Sequence, residues 1–311
     1  MRKRIVTGID IRRHRITTVT LKRQHNIVSL LACETLPVPD DILSENEVID
    51  YQSIVNKLAE IRKRLPFWQN RVAISIPDLA VMTRTVEPSI NTSIDTSIDS
   101  YDQSLAPWLI AQAFSEKTGL SGSSVYLDYV PLETGYQVYA AKKEVVESRL
   151  QALCRAGLKP VLIDTEKQAF LQFLLEAMCR AQRQGWLLID IGEDTIALGF
   201  VTDELNFYRQ FPFSAQAFDA ALTLVLQEVQ RFISLHPAAL LNGIWINGTP
   251  SMYQTFLQGL RQQFREPIEH LVAVSVFETS ALIPVHLSPF IPLAAGSALR
   301  GLMALESGYA A

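Results

Sequence analysis

The sequence is poor in the residues that usually announce chemistry. It carries 3 cysteines in 311 residues, and Cys33, Cys154 and Cys179 stand far apart, without a Cys-x-x-Cys pair or a His/Cys ligand spacing. That excludes a disulfide framework and a zinc module, and it suits a reducing compartment. Cys154 and Cys179 fall on or near the apolar faces of helical patterns, where a free thiol behaves as a small hydrophobe. The histidines, His14, His25, His236, His270 and His286, are scattered with no carboxylate or cysteine at ligand spacing, so they read as surface or core residues. No Gly-x-Ser-x-Gly elbow supports serine catalysis.

Long apolar runs are missing too. Nothing approaches the ~20 uninterrupted apolar residues of a membrane span; the nearest stretch, 290–305, is broken by Pro292, Gly296, Arg300 and Gly301. Residues 1–4 resemble the charged start of a secretion signal, but Asp10 and the basic residues after it interrupt what would follow. The reading is a soluble or peripheral protein. With 28 Lys and Arg against 32 Asp and Glu the net charge is −4, which argues against a dedicated nucleic-acid binder. Its distribution is uneven: eight basic residues between Arg2 and Arg23 are opposed by Asp10 alone. Such a stripe is either a solvated face or a surface for anionic lipid, phosphate or acidic peptide.

What is present is enough apolar residue for a real core, 48% of the chain, and length for two core-sized units. Ile5-Val6-Thr7-Gly8-Ile9-Asp10-Ile11, a basic turn and Ile16-Thr17-Thr18-Val19-Thr20-Leu21 predict a β-hairpin, with a third strand over 27–34. Asp50 is placed to cap a helix carrying Ile54, Leu58, Ile61 and Leu65, ended by Pro66. A buried strand follows at 72–77. The Ser-, Asp- and Thr-rich stretch 91–104, with its repeated Ser-Ile-Asp, predicts a flexible segment. A helix over Ala106 to Phe114 stopped by Gly119, strands at 125–132 and 136–141, and a helix carrying Val146, Leu150 and Leu153 closed by Gly157 together predict a small inserted α+β unit.

The opening then recurs. Ile9-Asp10-Ile11, four residues and Ile16 are matched by Ile189-Asp190-Ile191, four residues and Ile196. In both, an acid ends an apolar strand before a short polar turn, which suggests two related α/β halves. Two such hairpins facing one another, with a glycine-bearing third loop, can hold nucleotide phosphates on backbone N–H groups. Ile244-Trp245-Ile246-Asn247-Gly248 followed by Thr249-Pro250 stands where that loop belongs. Ser251 and Gln254 form a capping box for the helix beyond, and a further helix carries Phe218, Ala221, Val225, Val229 and Phe232 on one face.

At this point the sequence resembles a known family. Gly8-Ile9-Asp10-Ile11, Glu47-Val48-Ile49-Asp50, Tyr139 to Glu147 (YAAKKEVVE), Ala156-Gly157-Leu158-Lys159-Pro160 with Glu166 beyond, Leu188-Ile189-Asp190-Ile191-Gly192 and Ala295 to Leu302 (AGSALRGL) are similar, in order, to the motifs of the PilM family of type IV pilus assembly proteins, including its HofM branch linked to DNA utilisation. The resemblance implies an α/β, actin-like (ribonuclease H-like) two-lobed fold with an inserted SHS2-type subdomain: a first lobe over 1–81, completed by 158–184 and the C-terminal helix 291–311; the insertion over 82–157; and a second lobe over 185–290. It implies Asp10, Asp190, Gly192, Thr195 and Gly248 as the nucleotide-binding positions, with Asp10 and Asp190 serving a metal only if Mg-ATP binds. It also implies a cytoplasmic platform at the inner membrane that takes the N-terminal cytoplasmic peptide of a PilN-like bitopic protein. The peptide groove is left unassigned and self-association open.

The departures from the family pattern lie in the nucleotide loops. Arg12-Arg13-His14-Arg15 replaces the family's Gly-Ser-Ser-Ser, placing bulk in the phosphate space and costing ~1–2 kcal/mol wherever the turn needs positive φ. Glu193 and Asp194 repel phosphate, and Pro250 has no N–H to give. The expectation is therefore weak or absent ATP binding and no hydrolysis. An ATPase or sugar-kinase relative would need intact loops. A cell-division anchor of the FtsA type would need an amphipathic helix beyond Glu306-Ser307-Gly308, for which the sequence given leaves no room.

Overall fold

The computed structural model describes residues 4–25, 27–38, 51–66, 69–87, 106–214, 217–279 and 283–308. The predicted cap at Asp50, the Glu47-Val48-Ile49-Asp50 motif and the segment 91–104 lie outside them.

Alternating β-branched residues give strand β1 (Arg4–Ile11) and strand β2 (Arg15–Gln24), paired antiparallel with Ile11 opposite Ile16. His25, at φ +56°, turns the chain into β3 (Ile27–Pro37). Helix α1 (Tyr51–Arg64) follows, then β4 (Arg71–Ile76), which lies parallel to β1. Ile54, Leu58 and Ile61 of α1 are buried against Ile9, Ile16 and Ile74 on one face of this sheet, as their helical spacing requires.

The chain next leaves the sheet. Strand β5 (Val81–Val86), helix α2 (Ala106–Thr118), β6 (Val125–Pro131) and β7 (Tyr136–Lys142) make a separate antiparallel sheet in the order β5-β7-β6. It has its own small core around Val86, Ile110, Phe114, Val125 and Val138. Helix α3 (Lys143–Arg155) returns the chain to the first sheet and ends at Gly157, whose φ of +76° only glycine adopts readily. The stripe α3 buries is Val145, Arg149, Ala152 and Leu153, one position away from the predicted Val146 and Leu150; Leu150 is exposed. Strand β8 (Lys159–Thr165) then pairs parallel with β4.

Helix α4 (Glu166–Ala181) begins at a Thr165 cap whose hydroxyl accepts from the Gln168 N–H, 3.2 Å. Beyond it, β9 (Trp186–Ile191), β10 (Thr195–Val201), β11 (Asn206–Pro212), helix α5 (Phe218–Leu235), β12 (Gly243–Asn247), helix α6 (Pro250–Gln263) and β13 (Ile268–His270) build a second sheet ordered β11-β10-β9-β12-β13. Phe232, Val225, Phe256 and Leu260 of α5 and α6 fill its outer face. Inside the stretch expected to complete the second lobe, strand β14 (Glu278–Thr279) pairs with β3 and returns to the first sheet, giving the order β14-β3-β2-β1-β4-β8.

Helix α7 (Ile291–Ser307) closes the chain, and with α4 it lies between the two sheets, in one shared core. Small residues make this possible. A Cβ at Gly8 of β1 would overlap the Ala294 carbonyl of α7, and one at Gly296 of α7 would overlap the Ala169 carbonyl of α4. The helix α6 differs from expectation at its start: Thr249 is the cap residue and Pro250 opens the helix, so Ser251 and Gln254 form no capping box. Proline fits there because its missing N–H would be unpaired in any case. Cys154 and Cys179 are exposed rather than on buried faces, while Cys33 is buried with its thiol pushed up to about 12, by burial first and then Glu34.

Candidate functional site

The two Ile-Asp-Ile strand ends fold alike. Ile11 pairs with Ile16 and Ile191 with Ile196. Each turn is closed by one backbone bond, Arg12 N–H to the Arg15 carbonyl at 2.8 Å and Gly192 N–H to the Thr195 carbonyl at 2.9 Å. Neither turn uses a positive φ, so the expected backbone cost of Arg13 and His14 does not arise. Gly192 is still required, because a Cβ there would sit 2.9 Å from the Thr195 carbonyl oxygen.

Of the four bulky residues in the first turn, Arg13 and His14 point out to solvent, whereas Arg12 and Arg15 point inward. Arg12 lies between two carboxylates, 3.1 Å from Asp10 Oδ1 and 3.1 Å from Glu166 Oε1 at the start of α4. Burial opposes its charge, but Asp10, Glu166 and Asp194 outweigh it and lift the guanidinium pKa above the ordinary arginine value. Arg15 crosses to the opposite turn, pairs with Glu193 and lies over the Phe290 ring, 3.9 Å from its centroid. The N-terminal basic stripe is thus divided: Arg4 and Arg23 pair with Glu306 at the end of α7, and Arg12 and Arg15 turn into the cleft.

Neither Asp10 nor Asp190 is a freely exposed strand-end acid. Asp10 is 6% exposed and paired. Asp190 accepts a hydrogen bond from Asn247 Nδ2 at 2.6 Å, and burial pushes its carboxyl up to about 6, against the pull of Asn247 and Arg12. Asn247, fully buried at the end of β12, also donates to the Pro289 carbonyl, 3.0 Å away. This ties the third loop to the start of α7. Tyr208 of β11 faces the same cluster; burial and Glu166 raise its phenol pKa and keep it neutral.

The structure therefore brings Asp10, Asp190, Gly192 and Thr195 to one cleft. Gly248 stands behind it, where a Cβ would meet Ile191 Cβ at 3.2 Å. Arg12, which the sequence reading took only as bulk in the phosphate space, and Glu166, Asn247 and Phe290, to which it gave no role, complete the cleft. Of these only Glu166 carried a signal, since it stands within a family motif. The cavity left is about 30 Å³, room for about one water, where a nucleotide-sized ligand needs several hundred cubic ångströms. No group of three or more His, Cys, Asp or Glu among the described residues is placed to hold a metal ion. As arranged, these residues do not fit a metal-bound nucleotide.

Comparison with known proteins completes the description. The family model described as "Type IV pilus assembly protein PilM" matches residues 8–223. Among solved structures, a "PilM-PilN type IV pilus biogenesis complex" is similar with a TM-score of 0.71 and 19% identity, covering 96% of this chain and 98% of that one. The ethanolamine utilization protein EutJ from Carboxydothermus hydrogenoformans is similar with a TM-score of 0.52 and 11% identity, covering 96% and 90%. No curated protein sequence matches. No helix among the described residues is long and apolar enough to cross a membrane.

Proposed function

This chain belongs to the PilM family of type IV pilus assembly proteins, and from that premise we propose that it is a non-catalytic platform at the cytoplasmic face of the inner membrane, holding the N-terminal tail of a PilN-like bitopic protein. Its fold is the two-lobed actin-like one, and its place in type IV pilus assembly follows from the family. The observation that carries the proposal is the family match over 8–223, together with likeness along nearly the whole chain to a structure described as a PilM–PilN complex.

The non-catalytic part of the reading is supported by the cleft. Arg12 stands between Asp10 and Glu166, and about 30 Å³ remains free. The small sheet supports the binding part. Its outer strands β5 and β6 each pair on one side only among the described residues, and Tyr126, Val130 and Leu132 are exposed. An extended tail can add to such an edge through backbone hydrogen bonds. The output of the machine as DNA uptake, as in the HofM branch, is part of the same proposal.

The test is co-purification of the chain with the partner's N-terminal cytoplasmic peptide fused to a carrier, using the wild type and Asp10→Asn. Equal recovery by both is expected. Loss of the peptide with Asp10→Asn, in a protein that stays folded, would make nucleotide chemistry essential and overturn the platform reading.

A further inference from the structure

Five carboxylates converge where the two hairpins face one another: Asp10 and Glu166 from the first lobe, Asp190, Glu193 and Asp194 from the second. Left alone, they would repel one another, most strongly at the buried Asp10 and Glu166, where like charges cost most. A ligand carrying a cation could neutralise such a set, but here the chain supplies the cations. Arg12 has a side chain only 15% exposed and contacts two of the carboxylates at 3.1 Å each. Arg15, 13% exposed, reaches Glu193 of the other lobe and stacks on Phe290. Planar guanidinium groups suit both tasks, because they present several fixed donors and stack on aromatic rings.

We propose that Arg12 and Arg15 are resident cations of this cleft, doing internally what a cation-bound ligand does when it bridges facing hairpins: Arg12 neutralises carboxylates at the junction and Arg15 holds the two lobes closed. Arg12 neutralises the carboxylates that would otherwise call for a bound cation, and Arg15 is the strut between lobes. The bridge ends on one anchoring point: Phe290, under Arg15, opens α7, and the adjacent Pro289 carbonyl takes the Asn247 bond from the end of β12. Both hairpins and the third loop are thereby fixed to the start of the helix that lies between the sheets. The lobe arrangement is then a property of the folded chain, unchanged by nucleotide or divalent cation. The inference deepens the non-catalytic reading proposed above, but it does not depend on the identity of the partner.

The experiment is a pair of rescue series read by thermal melting and by small-angle X-ray scattering. For Arg15 the variants are Arg15→Gln, Glu193→Gln and the double variant. Each single change is expected to lower the melting temperature and enlarge the radius of gyration, with the double no worse than either single, as coupling requires. For Arg12 the variants are Arg12→Met, and Arg12→Met combined with Asp10→Asn and Glu166→Gln. The first is expected to melt well below wild type and the triple to recover most of the loss, since removing the carboxylates removes the need for a cation. A packing role alone would not be rescued by those neutral partners. Should Arg12→Met fail to fold, Arg12→Lys, which keeps the charge without the planar fork, is expected to fold and to melt below wild type. Additive losses at Arg15 and Glu193, no recovery in the Arg12 triple, or a wild type whose melting temperature rises with magnesium chloride at constant ionic strength would each overturn the proposal. Peptide co-purification separates this from the platform reading: a platform that binds its partner while its lobes open freely would retain that reading and discard this one.

Discussion

Asp190 ends its strand as a carboxyl shielded from water and held by the Asn247 amide at 2.6 Å. Its carboxyl is held at about 6, above the ordinary 3.8, chiefly by burial. Because the folded-state pKa is raised, the folded chain keeps a proton that the unfolded chain releases. The associated stability is fully present below about pH 4 and is lost as pH rises through about 6, up to about 3 kcal/mol in all. Asp190→Asn cannot ionise and still accepts from Asn247. Its urea midpoint should therefore gain on wild type between pH 4 and pH 6.5 and run parallel above that. A difference that stays flat across this range would mean that Asp190 is ionised at ordinary cost.

At the scale of elements, glycines separate packing from turn geometry. Gly157 ends α3 at φ +76° with open space around it, so Gly157→Ala should cost about 1 kcal/mol through backbone strain alone. Gly157→Pro adds the loss of the Gly157 N–H to Cys154 carbonyl bond of 3.0 Å and a φ that proline cannot reach. It should cost about 3 kcal/mol or more, loosening the join between the small sheet and the first lobe. Gly8→Ala, by contrast, drives a methyl into the α7 backbone and should cost about 1–3 kcal/mol by overpacking. Denaturant unfolding of the three variants checks the order; a Gly8→Ala variant as stable as wild type would show that α7 can retreat from β1.

The same scale shows what was readable in advance. The matching hairpins at Asp10 and Asp190 were legible because strand alternation and a strand-end acid are local patterns. The helix faces of α1 and α5 were legible for the same reason. The α3 face was displaced by one residue because Arg149 is buried there, and charge patterning places an arginine outside. The start of α6 was misplaced because a capping pattern at Ser251 competed with Pro250, and the proline's fixed φ decided it. Arg12 with Glu166, and Asn247 with Pro289, could not be read, because such pairs depend on how distant strands and helices meet. The basic run therefore looked like a surface when two of its members are internal.

In the whole molecule, a family fold surrounds a cleft filled by the chain's own charges. Two sheets enclose α4 and α7, and the hairpins meet over the start of α7. Most members of the cluster are present in the sequence as ordinary surface-type residues, and only their convergence makes a strut of them. A closed, ligand-independent body suits a platform whose task is to present a fixed face to a partner.

The measurement that bears most directly on this is calorimetric titration of the intact chain with the partner's N-terminal cytoplasmic peptide, with and without Mg-ATP, alongside a titration with Mg-ATP alone. The peptide is expected to bind with the same affinity in both conditions, and Mg-ATP alone to give no saturable heat at micromolar concentration. Binding of Mg-ATP with a dissociation constant at or below ~10 μM, about −7 kcal/mol, or peptide binding that appears only with the nucleotide present, would contradict this reading.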